Sequence, residues 1–374
     1  MTVSGRPAPD FSPVSVCLEE AIARGATAGA SVSVRSLGGV DWSNDLGLAE
    51  ACPRRRAVAA GQVWDVASLT KVLATASICM KLFDDGRLEL DAPLSTLLDG
   101  APDQVTPRTC LSHASGWPAW HRFFDEAIAQ GRGWGTASTR QWLFQRAWTT
   151  ALEAEPGTRH RYSDVGMLSL GAYLERLTNR RLDLLWHALV GDPLGVDLRW
   201  GWPGASATEA CPVRGRVVVG EVHDLNAAVL GGVAPHAGLF GSARSVAGLG
   251  LAMLRCQREG GWVKAATVDT FFSHVGPGSH RLGWDGVTPG GSSAGPRWPL
   301  DGVGHLGFTG CSLWLAPRQG VSVALLANRV HPVVEGGSVP GAPLHPRYRR
   351  FKALRPAVHT AVVEALERCE LWLD

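Results

Sequence analysis

Lysine is almost missing from this chain of 374 residues. Only Lys71, Lys81, Lys264 and Lys352 stand among its 36 basic residues, and the rest are arginines. With 34 acidic residues the net charge is +2, so no charge imbalance points to nucleic acid or to an acidic membrane surface. Tyrosine is scarcer still, with three in all. The eight cysteines are scattered from Cys17 to Cys369 and none forms a C-x-x-C pair, which excludes a zinc-type cluster and leaves buried free thiols as the expectation. No run approaches the roughly 20 apolar residues of a membrane helix. The first residues lack the apolar stretch of a signal peptide. A cytoplasmic protein without membrane insertion is therefore expected. Hydrophobic residues at 45% and charged residues at 19% exclude a disordered chain, a collagen and a coiled coil.

What is present reads as helix and strands first, helices in the middle, strands and helix last. Ser12 and Pro13 open a helix over residues 13–24. Residues 29–35 alternate in period two and end at the turn signal Gly38-Gly39. A helix is expected from Ser68 to about Asp84, with further helices at 139–147 and 167–178. Residues 286–299 form a Gly/Ser/Pro-rich loop. Strands follow at 311–316 and 321–328, and a last helix at about 346–367. No internal repeat is found. The expected organisation is a loose arm (1–12), an α/β domain made from 13–64 and 274–374, and a mainly helical domain, 65–273.

Three short segments could carry chemistry. In Ser68-Leu69-Thr70-Lys71 a helix start places the lysine one turn from the serine on the same face. The helix end favours the anion formed when serine attacks a carbonyl, and a buried lysine could take the serine proton. The bland alternative is a helix cap followed by a surface lysine. In Tyr162-Ser163-Asp164 a phenol near an ammonium could move protons, or the segment is a loop after Pro156-Gly157 with Asp164 capping the next helix. His305-Leu306-Gly307 is a weak motif alone, since His-x-Gly recurs at His236 and His274. His305 is preferred because two strands and the closing helix follow it. His113 lines the site entrance or is a structural hydrogen-bonding histidine. Trp117, Trp120, Trp134, Trp142 and Trp148 wall an apolar pocket or pack between helices. Gly291-Ser292-Ser293-Ala294-Gly295 matches the nucleophile elbow but has no strand before it or helix after it. His223 with Asp224 lacks a third ligand for a metal.

Serine-x-x-lysine, then tyrosine-x-asparagine/aspartate, then histidine-x-glycine, in this order, resembles the serine β-lactamase and penicillin-binding-protein superfamily. The likeness points to class C-like β-lactamase-related serine hydrolases, including family VIII carboxylesterases. The stretches 106–116, 222–227, 236–240 and 304–310 are similar as well, so the resemblance covers roughly residues 13–368. It implies a β-lactamase/transpeptidase-like α/β (α+β) fold: an antiparallel sheet flanked by the N- and C-terminal helices, with an all-α insertion. It implies Ser68 as nucleophile, Lys71 as its activating neighbour, and Tyr162 as general base and as acid to the leaving group. The N–H groups of Ser68 and Phe308 would form the oxyanion hole, and Asp164, His305 and Gly307 would meet the substrate. Two positions depart from the pattern. Asp164 stands in place of asparagine, and its charge would hold Lys71 protonated and shift the base role to Tyr162, whose phenolate the ammonium would favour. His305 stands in place of lysine, and a neutral imidazole attracts a substrate carboxylate less. The expected activity is a carboxylesterase acting on small-molecule esters or amides through an acyl-enzyme, needing no metal or organic cofactor. A β-lactamase or D-Ala-D-Ala-type peptidase, a transacylase, and a non-catalytic binding protein of the same fold are the alternatives.

Overall fold

The computed structural model describes residues 7–332 and 346–372. The period-two run folds as the strand Gly29–Ser36 and returns as Asp41–Glu50 through a turn in which Gly39 adopts φ +92°. Its other edge pairs antiparallel with Val321–Ala327, Ala30 opposite Ala327 and Ser36 opposite Val321. The whole sheet runs Arg56–Ala57, Asp41–Glu50, Gly29–Ser36, Val321–Ala327, Cys311–Ala316, Val303–Gly307, Asp285–Gly286, and every neighbouring pair is antiparallel. Strands from the two ends of the chain thus meet at its centre.

Alternate side chains of Gly29–Ser36 enter two different layers, which explains why valine alternates with serine there. Val32 and Val34 join Val14, Leu18, Val323, Leu325, Phe351 and Val358 under the helices Ser12–Ala23 and Pro346–Glu367. Burying each such side chain is worth roughly 1.5–3 kcal/mol. Ser31 and Ser33 face the other layer, and both are hydrogen-bonded: Trp64 Nε1 donates to Ser31 Oγ at 2.9 Å and Ser43 Oγ donates to Ser33 Oγ at 2.9 Å. The helix Ala243–Glu259 covers that face. Gly250 permits the close approach, since a Cβ there would lie 2.5 Å from both Leu315 and Ser322.

The expected fold is the observed one, with differences of detail. Phe11, in the stretch read as a loose arm, is buried and stacks on Trp42 with ring centroids 4.8 Å apart. Asp10 accepts the Ser12 N–H at 2.9 Å, so the open end of the first helix is met by Asp10 and not by Ser12 as cap. Residues 1–6 lie outside the described residues. The insertion expected to be all-α is mainly helical but also carries strands. Val63–Asp65, Leu239–Ser242 and Leu198–Trp200 form a three-stranded sheet, and Ala207–Cys211 pairs with Arg216–Val219. Among the described residues no helix is long and apolar enough to cross a membrane. All eight cysteines are free and six are buried.

Candidate active site

Ser68 does not open an α-helix. It lies in the 3₁₀ turn Ala67–Leu69, which leads into a π-helix, Lys71–Ala76, and only then into the α-helix Ser77–Asp84. The turn is held tightly. Asp65 Oδ1 accepts the Ala67 N–H at 2.8 Å, and Thr70 Oγ1 donates to the Ala67 carbonyl at 2.6 Å. Ala67 itself adopts φ +49°, a left-handed conformation that costs a residue with a Cβ about 1–2 kcal/mol. Strain of this kind, beside a π-helical turn, is concentrated at functional sites. It replaces the helix-end argument as the feature that presents Ser68.

Lys71 is fully buried and its ammonium meets three acceptors. Nζ lies 2.9 Å from Ser68 Oγ, 3.1 Å from the His236 carbonyl and 2.7 Å from Asp164 Oδ1. Burial opposes the ammonium, but Asp164 and Tyr162 outweigh it and the lysine pKa is raised. The cap of the helix Asp164–Thr178 is Ser163, whose Oγ accepts the Gly166 N–H at 3.0 Å, and the Asp164 carboxylate turns to Lys71. The Tyr162 ring lies 4.8 Å from Lys71 Nζ. Its phenol is pushed up by burial and by Asp164, and contact with Lys71 and Ser68 offsets this only in part. Lys71 favours the phenolate, as its charge leads one to expect, but burial is the larger effect and the phenol stays above its ordinary value.

The strand Val303–Gly307 closes the site from the sheet. A Cβ on Gly307 would lie 2.5 Å from the Val66 carbonyl, and Thr309 Oγ1 donates to the Asp65 carbonyl at 2.8 Å. These contacts press the end of the strand against the segment before Ser68 and bring Phe308 beside it. The Phe308 side chain is 40% exposed, between Arg329 at 4.6 Å and His223 at 5.4 Å. His305 is buried, 5.8 Å from the Tyr162 ring between centroids, and burial with Lys71 lowers its pKa well below the usual histidine value.

With this geometry, a family model described as Beta-lactamase matches residues 15–342. The chain belongs to the beta-lactamase family. Its relatives include an N-acetylmuramyl-L-alanine amidase of Bacillus subtilis (strain 168), 29% identical over 310 residues, which span 73% of this chain and 69% of the relative. Among solved structures, EstCE1, described as a hydrolase with promiscuous acyltransferase activity, superposes with a TM-score of 0.71 at 20% identity over 93% of this chain and 98% of its own. A penicillin-binding protein homolog from Caulobacter crescentus gives 0.69 at 18% identity over 96% and 100%. These establish a beta-lactamase/transpeptidase-like serine hydrolase fold.

Against that family fold, the remaining candidates sort by position. Ser293 lies on the side of the sheet under the terminal helices, where its Oγ accepts from Trp314 Nε1 at 3.2 Å. His223 and Asp224 diverge: His223 Nε2 is 3.5 Å from Glu209, while Asp224 Oδ1 accepts the Ala227 N–H at 2.7 Å and lies 3.0 Å from His236 Nε2. Burial works against the Asp224 carboxylate, but His236 holds its pKa at about 2. This pairing fixes His236, whose carbonyl receives Lys71. Sequence reasoning missed that function, because a backbone acceptor has no side-chain signature. Trp117 and Trp148 are core residues whose Nε1 groups donate to the Thr150 and Asp99 carbonyls, and only Trp120 of the five tryptophans is exposed, at 41%. His113 is structural and also beside the site. Its Nδ1 accepts the Ser163 N–H at 3.1 Å, and its ring lies 4.4 Å from that of Tyr162. His160 and His280, which no motif marked, complete a histidine wall beside Tyr162.

Proposed function

We propose that this chain is a carboxylesterase that hydrolyses neutral esters of small or medium acyl groups through an acyl-enzyme on Ser68. The observation that carries the reading is the pairing of a Ser68–Lys71–Asp164–Tyr162 constellation with an uncharged, buried His305. The reactive form has lost one proton from the Lys71–Tyr162 pair, leaving a phenolate against an ammonium. The phenolate takes the Ser68 proton as Oγ attacks the ester carbonyl. The N–H groups of Ser68 and Phe308 receive the developing oxyanion. Tyr162 then returns the proton to the departing alcohol, and water repeats the sequence to free the acid. Lys71, held by Asp164 and the His236 carbonyl, keeps a positive charge beside the phenolate throughout.

A second reading, an amidase or peptidase on cell-wall-like substrates, is favoured by the name of the B. subtilis relative. EstCE1's printed acyltransferase activity keeps transfer to an alcohol in view as a variant of the first. A panel of 4-nitrophenyl esters beside nitrocefin, with mass spectrometry of the trapped protein, separates them. The esterase reading expects acyl mass on the Ser68 peptide and a higher kcat/KM for short esters than for nitrocefin. The reverse order overturns it.

A further inference from the structure

Four histidines from four separate parts of the chain gather beside Tyr162. The ring centroids of His113, His280 and His305 lie 4.4, 5.8 and 5.8 Å from that of Tyr162, and His160 stacks on His280 at 5.0 Å. A ring nitrogen from each of His113, His280 and His305 lies within 4.8 Å of those of the other two. His113 and His305 are 1% and 2% exposed, and Nε2 of each has no hydrogen-bond partner within the protein. Buried polar atoms are nearly always bonded, so two orphaned nitrogens in one histidine cluster mark a place built for a polar group.

The occupied ends of the two rings say which group. His305 Nδ1 lies 2.8 Å from the Leu306 carbonyl oxygen. A carbonyl only accepts, so Nδ1 carries the proton and Nε2 presents a lone pair. His113 is the opposite case. Its Nδ1 accepts the Ser163 N–H, so its Nε2 carries the proton and donates. Burial first, with Lys71 and the neighbouring rings adding to it, holds both imidazoles neutral. A divalent cation needs a lone pair from every ring, and His113 has already used its own. A carboxylate needs donors and would face the lone pair of His305. A hydroxyl donates and accepts, and it satisfies both. His280 adapts to either sense, because its Nδ1 shares a proton with His160 Nε2 at 3.0 Å.

We infer that His113 and His305 form a subsite beside Tyr162 for a neutral hydroxyl group other than the one that reacts, carried either by the ester substrate or by an alcohol that receives the acyl group. The inference rests on the hydrolase reading above and adds a substrate class to it. In acyl transfer the acceptor O–H bond breaks and its oxygen bonds to the acyl carbon. Its proton goes to Tyr162, and Ser68 Oγ then takes that proton back as it leaves.

The test uses the full chain and two arms. The first compares kcat/KM for 2-hydroxyethyl butyrate and propyl butyrate. The second measures partition of the butyryl-enzyme, formed from 4-nitrophenyl butyrate, between ethylene glycol and propanol. A preference of about tenfold or more for the hydroxylated partner is expected, because a site that bonds a hydroxyl is left with unpaired groups by its deoxy analogue. The responding arm identifies the source of the hydroxyl. His305→Phe should bring the ratio close to one, and His305→Gln, which keeps an acceptor, should restore part of it. Equal treatment of both partners in both arms, with 4-nitrophenyl butyrate still hydrolysed at Ser68, overturns the subsite alone. Failure to hydrolyse any ester overturns the hydrolase reading and the subsite with it. Tight one-to-one binding of zinc alone, lost in His305→Phe, would show a metal site and also overturn it.

Discussion

Replacing Asp164 by asparagine keeps the shape of the side chain and removes one charge 2.7 Å from the fully buried Lys71 ammonium. At that separation the attraction is about 6 kcal/mol for an effective dielectric constant of 20. Desolvation, and the bonds Lys71 keeps to Ser68 and the His236 carbonyl, offset much of this. If a quarter survives, about 1.5 kcal/mol, the effect is about one pH unit. The direction is fixed by the structure. Asp164 raises the pKa of Lys71 and of Tyr162, so removing its charge lets the pair lose its proton at lower pH. The acidic limb of kcat/KM for a neutral ester should move down by about one unit or more. Where the wild-type limb is still rising, activity should increase about tenfold. The two groups interact, so the limb reports the pair and not either residue. Profiles for both proteins over about pH 5–10 decide the matter. A limb that stays in place refutes the coupling of Asp164 to the proton-transfer pair.

Ser68→Ala should abolish turnover and acyl-enzyme formation. Ser293→Ala should retain activity and lose about 1 kcal/mol of stability, since Trp314 Nε1 loses its acceptor; the opposite pattern would misplace the nucleophile. Gly307→Ala puts a methyl group 2.5 Å from the Val66 carbonyl and should push the strand off the Ser68 turn. A loss of about tenfold or more in kcat/KM and about 1–3 kcal/mol in stability is expected, and wild-type behaviour would disprove that contact. Acid should destabilise the fold well before its carboxylates titrate. Burial lowers His359 and His280 from 6.5 to about 4 in the folded protein. Between those values the unfolded chain binds the extra protons, so stability falls as pH falls, by up to about 3 kcal/mol per group. Denaturant midpoints at neutral and acid pH measure this, and His359→Gln should flatten the slope. An equal slope in the variant would remove His359 from the effect.

The sheet was legible because Val32 and Val34 alternate with Ser31 and Ser33. Ser68 and Lys71 were singled out because their S-x-x-K match, weak alone even in a chain so poor in lysine, stands in order with Tyr162 and His305 as the resemblance requires. Asp164 was legible as a charge in the place where the resemblance expects asparagine, while the residues alone left it open as a helix cap. Other features left no local trace. The positive φ at Ala67 and the π-helix after it depend on Asp65 and Thr70 side-chain bonds and on Thr75 reaching the Pro235 carbonyl at 2.6 Å, which are tertiary choices. The strands of the insertion are three to five residues long, too short for a period to show. The histidine wall joins His113, His160, His280 and His305, which share no spacing because they are gathered by folding alone. The part proposed for Phe308 is that of a backbone N–H, so only the resemblance, and not the residue itself, could point to it.

The central pairing of Gly29–Ser36 with Val321–Ala327 also sets an order of events during synthesis. The hairpin that ends at Glu50 is made early, yet one edge of its first strand stays open until Val321–Ala327 has left the ribosome. Ser68 and Lys71 emerge with it, and the strand bearing His305 comes near the end. The proposed site is therefore unassembled until Val303–Gly307 has been made, and a product that stops before it would lack His305 and Gly307. Such a product would also carry an unpaired strand edge lined with valine, which invites edge-to-edge association. Joining such distant strands in one sheet makes assembly of the proposed site wait on strands made late, and leaves that single edge open until they arrive.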